Sequence, residues 1–137
     1  MTRNRFEPKW AELPSGMNTL SGKIVDAAFA VHSELGPGLL ENIYEQCLLI
    51  ELRNRDLEVK RHVDVPVVYK GDTTGTGIRI DLLVEDSIVV ELKAVETVLP
   101  VHKAQVLTYL KLTGHRLGLL INFNVSEIKQ GIHRVIL

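Results

Sequence analysis

The chain has 137 residues, of which 45% are hydrophobic, and a formal net charge of -1. This length fits one domain that buries enough apolar surface to fold without disulfides, and the single cysteine, Cys47, excludes both a disulfide framework and a cysteine-based zinc site. No apolar run approaches the ~20 residues of a membrane helix and no signal-peptide core occurs, so we expect a cytoplasmic protein. The near-neutral charge excludes a general basic coat for nucleic acid, so any such site must be local.

The first half of the chain carries helical patterns. Residues 1–17 mix charge, aromatic residues and proline without a period, so we expect an N-terminal arm ahead of a folded domain over residues 18–137. Apolar residues at helical spacing predict a first helix over Ser21–Leu35, with Ser21 as its cap, and a second helix over Leu39–Arg55. Gly36, Pro37 and Gly38 separate the two helices.

The second half carries mainly strand patterns. Val63, Val65 and Val67 alternate with polar residues and with Pro66, which predicts an edge strand followed by an irregular turn over Lys70–Gly77. The remaining predicted elements are two strands over Ile78–Val84 and Ser87–Ala94, a helix over Val101–Thr113, and strands over Leu117–Phe123 and Ile132–Ile136. These elements predict a single α/β domain with a central mixed β-sheet flanked by helices.

Three charged residues lie inside the two most apolar of these strands. They are Asp81 on the first strand and Glu91 and Lys93 on the next. If the three residues Glu85–Ser87 join the strands, Val84 pairs with Ile88 and Asp81 falls opposite Glu91, whereas a two-residue loop would place Glu91 on the other face.

Two converging carboxylates repel each other, and a divalent cation with oxygen ligands relieves that repulsion. The pattern therefore predicts a Mg²⁺ or Mn²⁺ site, with Lys93 placed to assist a water nucleophile or to neutralise charge on a phosphate. The structural alternative is a solvent-facing salt bridge in which Lys93 lies between Asp81 and Glu91.

The combination resembles the PD-(D/E)xK nuclease superfamily, in which an Asp on one strand is followed by Glu-x-Lys on the next. Gly38, Glu41 and Tyr44 also match the motif of the GxxExxY protein family, and the resemblance covers residues 20–137. It implies a restriction-endonuclease-like core and a third metal-site carboxylate, Glu41, with the Leu92 carbonyl as a further ligand. The first-turn position of Glu41 is equally explained by the helix dipole.

Gln105 and Tyr109 are four residues apart on the third predicted helix and share a face. This spacing resembles the QxxxY motif of RecB-like nucleases, which implies contact with nucleic acid, and ordinary polar packing is the alternative. In some RecB-like nucleases a histidine of an early helix joins the metal, so the resemblance makes His32 a candidate ligand. A satisfied, half-buried histidine explains it as well.

The resemblance implies a metal-dependent phosphodiesterase that acts on nucleic acid, DNA in the first place. The alternative is a non-catalytic module that binds nucleic acid or protein and retains the nuclease fold. Lys60, Arg61 and His62 form the one compact basic patch, which either contacts phosphates or is simply solvated. A protein partner or a homo-oligomer stays open.

Overall fold

The computed structural model describes residues 13–137, so most of the predicted N-terminal arm lies outside the described residues. Within these residues, three helices and seven strands follow one another. They are α1 (Met17–Leu35), α2 (Glu41–Asn54), β1 (Val59–Val65), β2 (Val68–Tyr69), β3 (Asp72–Thr73), β4 (Ile78–Val84), β5 (Ile88–Lys93), α3 (Pro100–Thr113), β6 (Leu117–Asn122) and β7 (Ile132–Ile136). A short 3-10 helix, Ile128–Gly131, leads into β7.

Five strands form the central sheet in the order β1-β4-β5-β6-β7. β5 and β6 are parallel and α3 connects them, whereas the other neighbouring strands are antiparallel. The predicted mixed sheet flanked by helices is therefore confirmed. β1 is an edge strand, as Pro66 predicted, and it ends at Val65 because proline has no N–H for a further ladder bond.

Helices cover both faces of the sheet. α1 and α2 bury Ile24, Val31 and Leu48 against one face, and the aromatic ring of Phe123 closes this larger core. α3 buries Tyr109 and Leu110 against the other face. Because β5 and β6 lie between these two layers, their side chains are almost all buried, and a charged residue on β5 needs a specific partner.

The first helix begins four residues before its predicted start. Gly16, with a φ of 85°, is the residue before the helix, so the prediction that Ser21 caps it is wrong. Met17 and Leu20 pack on the larger core, and Ser21 itself is buried inside the helix. Tertiary packing of the extra turn therefore outweighs the local preference of serine for a cap.

The tyrosine of the GxxExxY motif braces the loop between α1 and α2. The Tyr44 hydroxyl donates to the Gly36 carbonyl at 2.6 Å and accepts the Leu39 N–H at 3.1 Å, while its ring stacks on Phe123 at 4.7 Å. Gly38 has a φ of 104°, which favours glycine, and it precedes α2. The glycine and the tyrosine together fix the point at which α2 and Glu41 begin.

The irregular turn predicted over Lys70–Gly77 contains part of a small hairpin, since β2 pairs with β3 apart from the main sheet. Among residues 13–137, no helix combines the length and the apolar character needed to cross a membrane.

Candidate active site

Asp81 and Glu91 meet where the regular pairing of β4 and β5 ends. Val84 pairs with Ile88 across the three-residue turn, as predicted, and the last regular pair is Leu82 with Val90. Beyond it, Glu91 Oε1 accepts the backbone N–H of Asp81 at 3.0 Å, and Asp81 Oδ2 accepts the backbone N–H of Leu92 at 2.9 Å. Carboxylate oxygens thus take the place of the carbonyl groups that a continuous ladder would supply.

β4 changes the face that it presents to the core at Asp81. Leu82 packs in the core beneath α1 and α2, whereas Ile80 packs in the core beneath α3. Residues two apart on a regular strand share a face, so the strand turns over between these two positions. Asp81 lies at this break, where β4 and β5 stop pairing and a gap opens between them.

β1 turns over at the same level. Val59 belongs to the larger core and Val63 contacts the smaller one, and His62 between them has a φ of 55°, in the left-handed region. Neighbouring strand residues normally point to opposite faces. The turn of the backbone at His62 instead brings Arg61 Nε and His62 Nε2 onto the same carboxylate oxygen of Glu45, at 2.7 and 2.5 Å.

Glu45 is the residue near the site that the sequence analysis missed. Its side chain is 6% exposed, Arg61 compensates its charge, and His62 Nε2 contacts the same oxygen. It lies one turn after Glu41 on α2, between the buried Tyr44 and Leu48. An acidic residue inside a buried stripe next to a candidate ligand is the signal that could have identified it.

The charges of the site act on one another. Burial, followed by the charge of Asp81, raises the pKa of Glu91 to about 9. Burial also raises the pKa of Asp81 and that of Glu41, and the charge of Glu45 adds to both shifts. Lys93 opposes all three shifts, since its ammonium favours the ionised form of each carboxyl group. Glu41, Asp81, Glu91 and Lys93 therefore form one electrostatic cluster.

The proposed surface salt bridge is not the arrangement found. Glu91 is only 5% exposed, and its carboxyl group contacts the backbone N–H and the carboxyl group of Asp81 rather than Lys93. Between residues 13 and 137, no carboxylate lies within ion-pair distance of Lys93 Nζ. Lys93 thus acts on the cluster at longer range and keeps its amino group available.

α3 borders the cluster on the face of the sheet that lies away from α1 and α2. Burial raises the pKa of Tyr109, the charges of Glu91 and Asp81 raise it further, and the neighbouring Gln105 side chain lowers it. Tyr109 is therefore close to the two carboxylates, and Gln105, which is exposed, lies beside its hydroxyl. His102 Nδ1 accepts the Leu99 N–H at 3.0 Å and so fixes the start of this helix.

Asn122 holds the chain immediately after the catalytic candidate Lys93. Its amide donates to the Val95 carbonyl at 2.8 Å and accepts the Val95 N–H at 3.1 Å, and Asn122 is 2% exposed. Lys93 and Asn122 are partners in the parallel register of β5 and β6. The side chain thus defines the direction in which the backbone leaves β5, next to the cluster.

His32 is the one candidate that the structure separates from the others. Its Nε2 lies 2.8 Å from the Val125 carbonyl, and its ring packs near that of Phe123. It lines a cavity of about 510 Å³ with Ser33, Ser126 and Lys129, and none of the site carboxylates lines that cavity. This is the satisfied, half-buried histidine that the sequence analysis gave as the alternative.

The donor chemistry of the cluster fits a divalent cation. Glu41, Asp81 and Glu91 offer only oxygen atoms, which Mg²⁺ and Mn²⁺ prefer. Burial first, and repulsion from neighbouring carboxylates second, raise their pKa values, and a cation would favour the ionised form of each. Within residues 13–137, however, no three Asp, Glu, His or Cys side chains converge at ligand distance. One oxygen each of Asp81 and Glu91 already accepts a backbone N–H.

Asp81 and Glu91 interrupt the pairing of β4 and β5, and Lys93 follows Glu91 by two positions. Nucleases of one large class share this arrangement. The model of the PD-(D/E)XK nuclease superfamily matches residues 18–135. The chain therefore belongs to this superfamily.

Comparisons with curated proteins and with solved structures do not narrow this assignment. No curated protein matches the chain in sequence. The crystal structure of SSO0001 is similar to it, with 20% sequence identity and a TM-score of 0.48 over 82% of this chain. The matched region spans 65% of the length of SSO0001.

Proposed function

We propose that the protein is a metal-dependent phosphodiesterase that cleaves DNA, with Mg²⁺ or Mn²⁺ held by Glu41, Asp81 and Glu91 and by the Leu92 carbonyl. The observation that carries the proposal is the meeting of Asp81 and Glu91 at the end of the β4–β5 pairing, in a chain of this superfamily, and the raised pKa values of the carboxyl groups support it. His32 is left outside the ligand set because its ring is bound elsewhere.

A bound cation would polarise the scissile phosphate and lower the pKa of a bound water. Lys93 has no ion-pair partner in the described part of the chain, so its ammonium can orient the attacking water or stabilise charge that develops on the phosphate. Gln105 is exposed beside the Tyr109 hydroxyl and can hold the substrate strand through its amide. The Tyr109 hydroxyl lies on the same face of α3. It can fix the orientation of Gln105 by donating or accepting a hydrogen bond.

The test is cleavage of single-stranded, duplex and branched DNA, and of RNA, with Mg²⁺, with Mn²⁺ and with EDTA. Wild-type protein should cut only with metal, and Asp81→Asn, purified in parallel, should not cut. Asp64→Asn is the matched control, since it removes one carboxylate charge from the neighbouring strand where the side chain is 80% exposed. Cleavage that is equal in Asp81→Asn and wild type would assign the activity to a contaminant.

The second candidate function is a binding module without catalysis. It is favoured by one observation: Asp81 and Glu91 each spend an oxygen on a backbone N–H and so have a structural role without any metal. A binding module would show no metal-dependent cleavage of any substrate in the same panel, while affinity for nucleic acid or for a protein would persist.

A further inference from the structure

The β2–β3 hairpin extends the β1–β4 pair beyond the main sheet. Val65 pairs with Ile78 at the end of the β1–β4 ladder. The same two segments of the chain pair again at Val68 and Thr73. The turn residues Lys70 and Gly71 both have positive φ, 50° and 86°, which is the pattern of a type I′ turn. The hairpin is thus a defined two-stranded projection rather than an irregular loop.

The hairpin contributes nothing to either described core. Every residue from 68 to 77 is exposed, and none belongs to the two apolar clusters. Tyr69 nevertheless places a large ring at the tip with 66% of its surface exposed, and the Lys70 ammonium lies 5.4 Å from the ring centroid. Folding of the main domain gains nothing from this exposed ring, so the ring is available for a partner.

Positive charge is concentrated along the same ribbon. Residues 60–79 contain four basic and two acidic side chains, whereas the whole chain has a net charge of -1. The basic side chains are those of Lys60, Arg61, Lys70 and Arg79, and all four residues are exposed. Arg61 is paired with Glu45 and Arg79 with Asp64, so Lys60 and Lys70 are the cations of the ribbon that have no carboxylate partner among residues 13–137. An exposed aromatic ring with cations along a ribbon is the chemistry that stacks on bases and contacts phosphates.

The ribbon begins at the candidate active site. His62 lies opposite Asp81, and seven residues of extended chain, at about 3.3 Å each, give a reach of at most about 23 Å from there to Tyr69. At 3.4 Å per nucleotide along one strand, this reach corresponds to about seven nucleotides. A nucleic-acid strand held at Asp81 therefore passes the hairpin tip if it continues along the ribbon.

We propose that the β2–β3 hairpin is a nucleic-acid-binding arm, in which Tyr69 stacks on a base and Lys70 contacts a phosphate about seven nucleotides from the cleaved bond. The inference deepens the proposed function and depends on it for the substrate class. It predicts that the arm contributes affinity for long strands and none for strands too short to reach it.

The experiment measures binding of labelled oligonucleotides by fluorescence anisotropy in EDTA, where a metal-dependent nuclease cannot cleave. Tyr69→Ala should weaken binding of a strand of about 20 nucleotides roughly tenfold, the loss expected for one stacked base, and leave a strand of about five nucleotides unchanged. Tyr69→Trp should restore the affinity because it retains a stacking surface. Lys70→Ala should lower the salt dependence of long-strand binding by about one phosphate contact.

Ile50→Ala is the matched control for Tyr69→Ala, since Ile50 is an apolar residue with 58% exposure on α2. Lys129→Ala is the control for Lys70→Ala because the Lys129 side chain is 73% exposed. Equal affinity of wild type and Tyr69→Ala for the long strand would overturn the proposal that the hairpin binds nucleic acid. So would equal losses for long and short strands, with unchanged melting temperatures.

The two proposals fail separately. If the protein shows metal-dependent cleavage and Tyr69→Ala has no effect on binding, the proposed role of the hairpin is wrong and the proposed nuclease activity stands. If long strands bind in a Tyr69-dependent way and no substrate is cleaved, the proposed role of the hairpin stands and the proposed nuclease activity is wrong.

Discussion

Asp81 and Glu91 exchange hydrogen bonds with each other's strand: Glu91 accepts the N–H of Asp81, and Asp81 accepts the N–H of the residue after Glu91. The two side chains therefore both hold the strands at their point of divergence and present their remaining oxygens to the same gap. Burial and mutual repulsion make this arrangement sensitive to metal and to protons.

Mg²⁺ or Mn²⁺ should raise the melting temperature of the wild-type protein, because a ligand that binds only the folded state stabilises it. At a metal concentration 100-fold above Kd, the stabilisation is about 2.7 kcal/mol, or on the order of 10 °C. Asp81→Asn should abolish this gain in differential scanning calorimetry and should not destabilise the metal-free protein, since asparagine can still accept the Leu92 N–H. Asp64→Asn should respond to metal as wild type does, and equal shifts in all three proteins would place the cation elsewhere.

The stability of the metal-free protein should fall as pH rises from about 4.5 to about 9. The ordinary pKa of Glu91 is 4.5 and its folded-state pKa is about 9, so in this window the folded state holds a proton that the unfolded state has released. The slope is at most about 1.4 kcal/mol per pH unit, with the stability fully present at low pH and lost at high pH. Urea unfolding in EDTA measures it.

Glu91→Gln should flatten that pH profile, because glutamine keeps an acceptor for the Asp81 N–H and cannot ionise. The matched substitution Glu127→Gln, at a side chain that is 63% exposed, should leave the profile unchanged. A Glu91→Gln protein with the full wild-type slope would show that another group titrates.

Lys93→Ala should lower kcat about 100-fold or more and leave the affinity for DNA within a few-fold. An interaction used mainly in the transition state changes the rate rather than the binding. Single-turnover kinetics and anisotropy on one substrate separate the two quantities, with Lys129→Ala as the charge-matched control. Loss of affinity without loss of rate at saturating DNA would instead make Lys93 a binding residue.

Gly118→Ala should destabilise the protein by about 1–3 kcal/mol through overpacking. A Cβ at this position of β6 would lie 2.5 Å from Cγ1 of Val106 on α3, the helix that carries Gln105 and Tyr109. Gly22→Ala is the control with the opposite sign, since nothing lies within 4 Å of its added Cβ on α1 and alanine favours a helix. Thermal unfolding of both variants tests the prediction, and a stable Gly118→Ala protein would refute the close contact.

The sequence was sufficient for the relationships that depend on period and loop length. Alternation located β4 and β5, and the three-residue turn placed Asp81 opposite Glu91. It was insufficient for the Glu45 cluster because Arg61 and His62 were identified only as part of a basic patch, and no pattern in the sequence paired them with Glu45. Their common contact requires the left-handed conformation of His62, which is stabilised by tertiary contacts that no local pattern encodes.

The helix boundary and the histidine illustrate the same limit of local patterns. Ser21 has the chemistry of a cap but lies inside a helix whose additional turn packs on the core. His32 has the chemistry of a ligand, yet its ring is engaged by the Val125 carbonyl from a segment 93 residues away in sequence. In both positions a long-range contact determined the outcome.

The crossed hydrogen bonds of Asp81 and Glu91 also determine how related sequences should be interpreted. A relative that has lost its chemistry still gains from both acidic residues, because they satisfy backbone groups where the sheet divides. Retention of the pair over evolution therefore reports selection for folding as much as selection for activity. The Lys93 side chain makes no hydrogen bond or ion pair to the rest of residues 13–137, so replacement at this position is the change that should mark an inactive descendant.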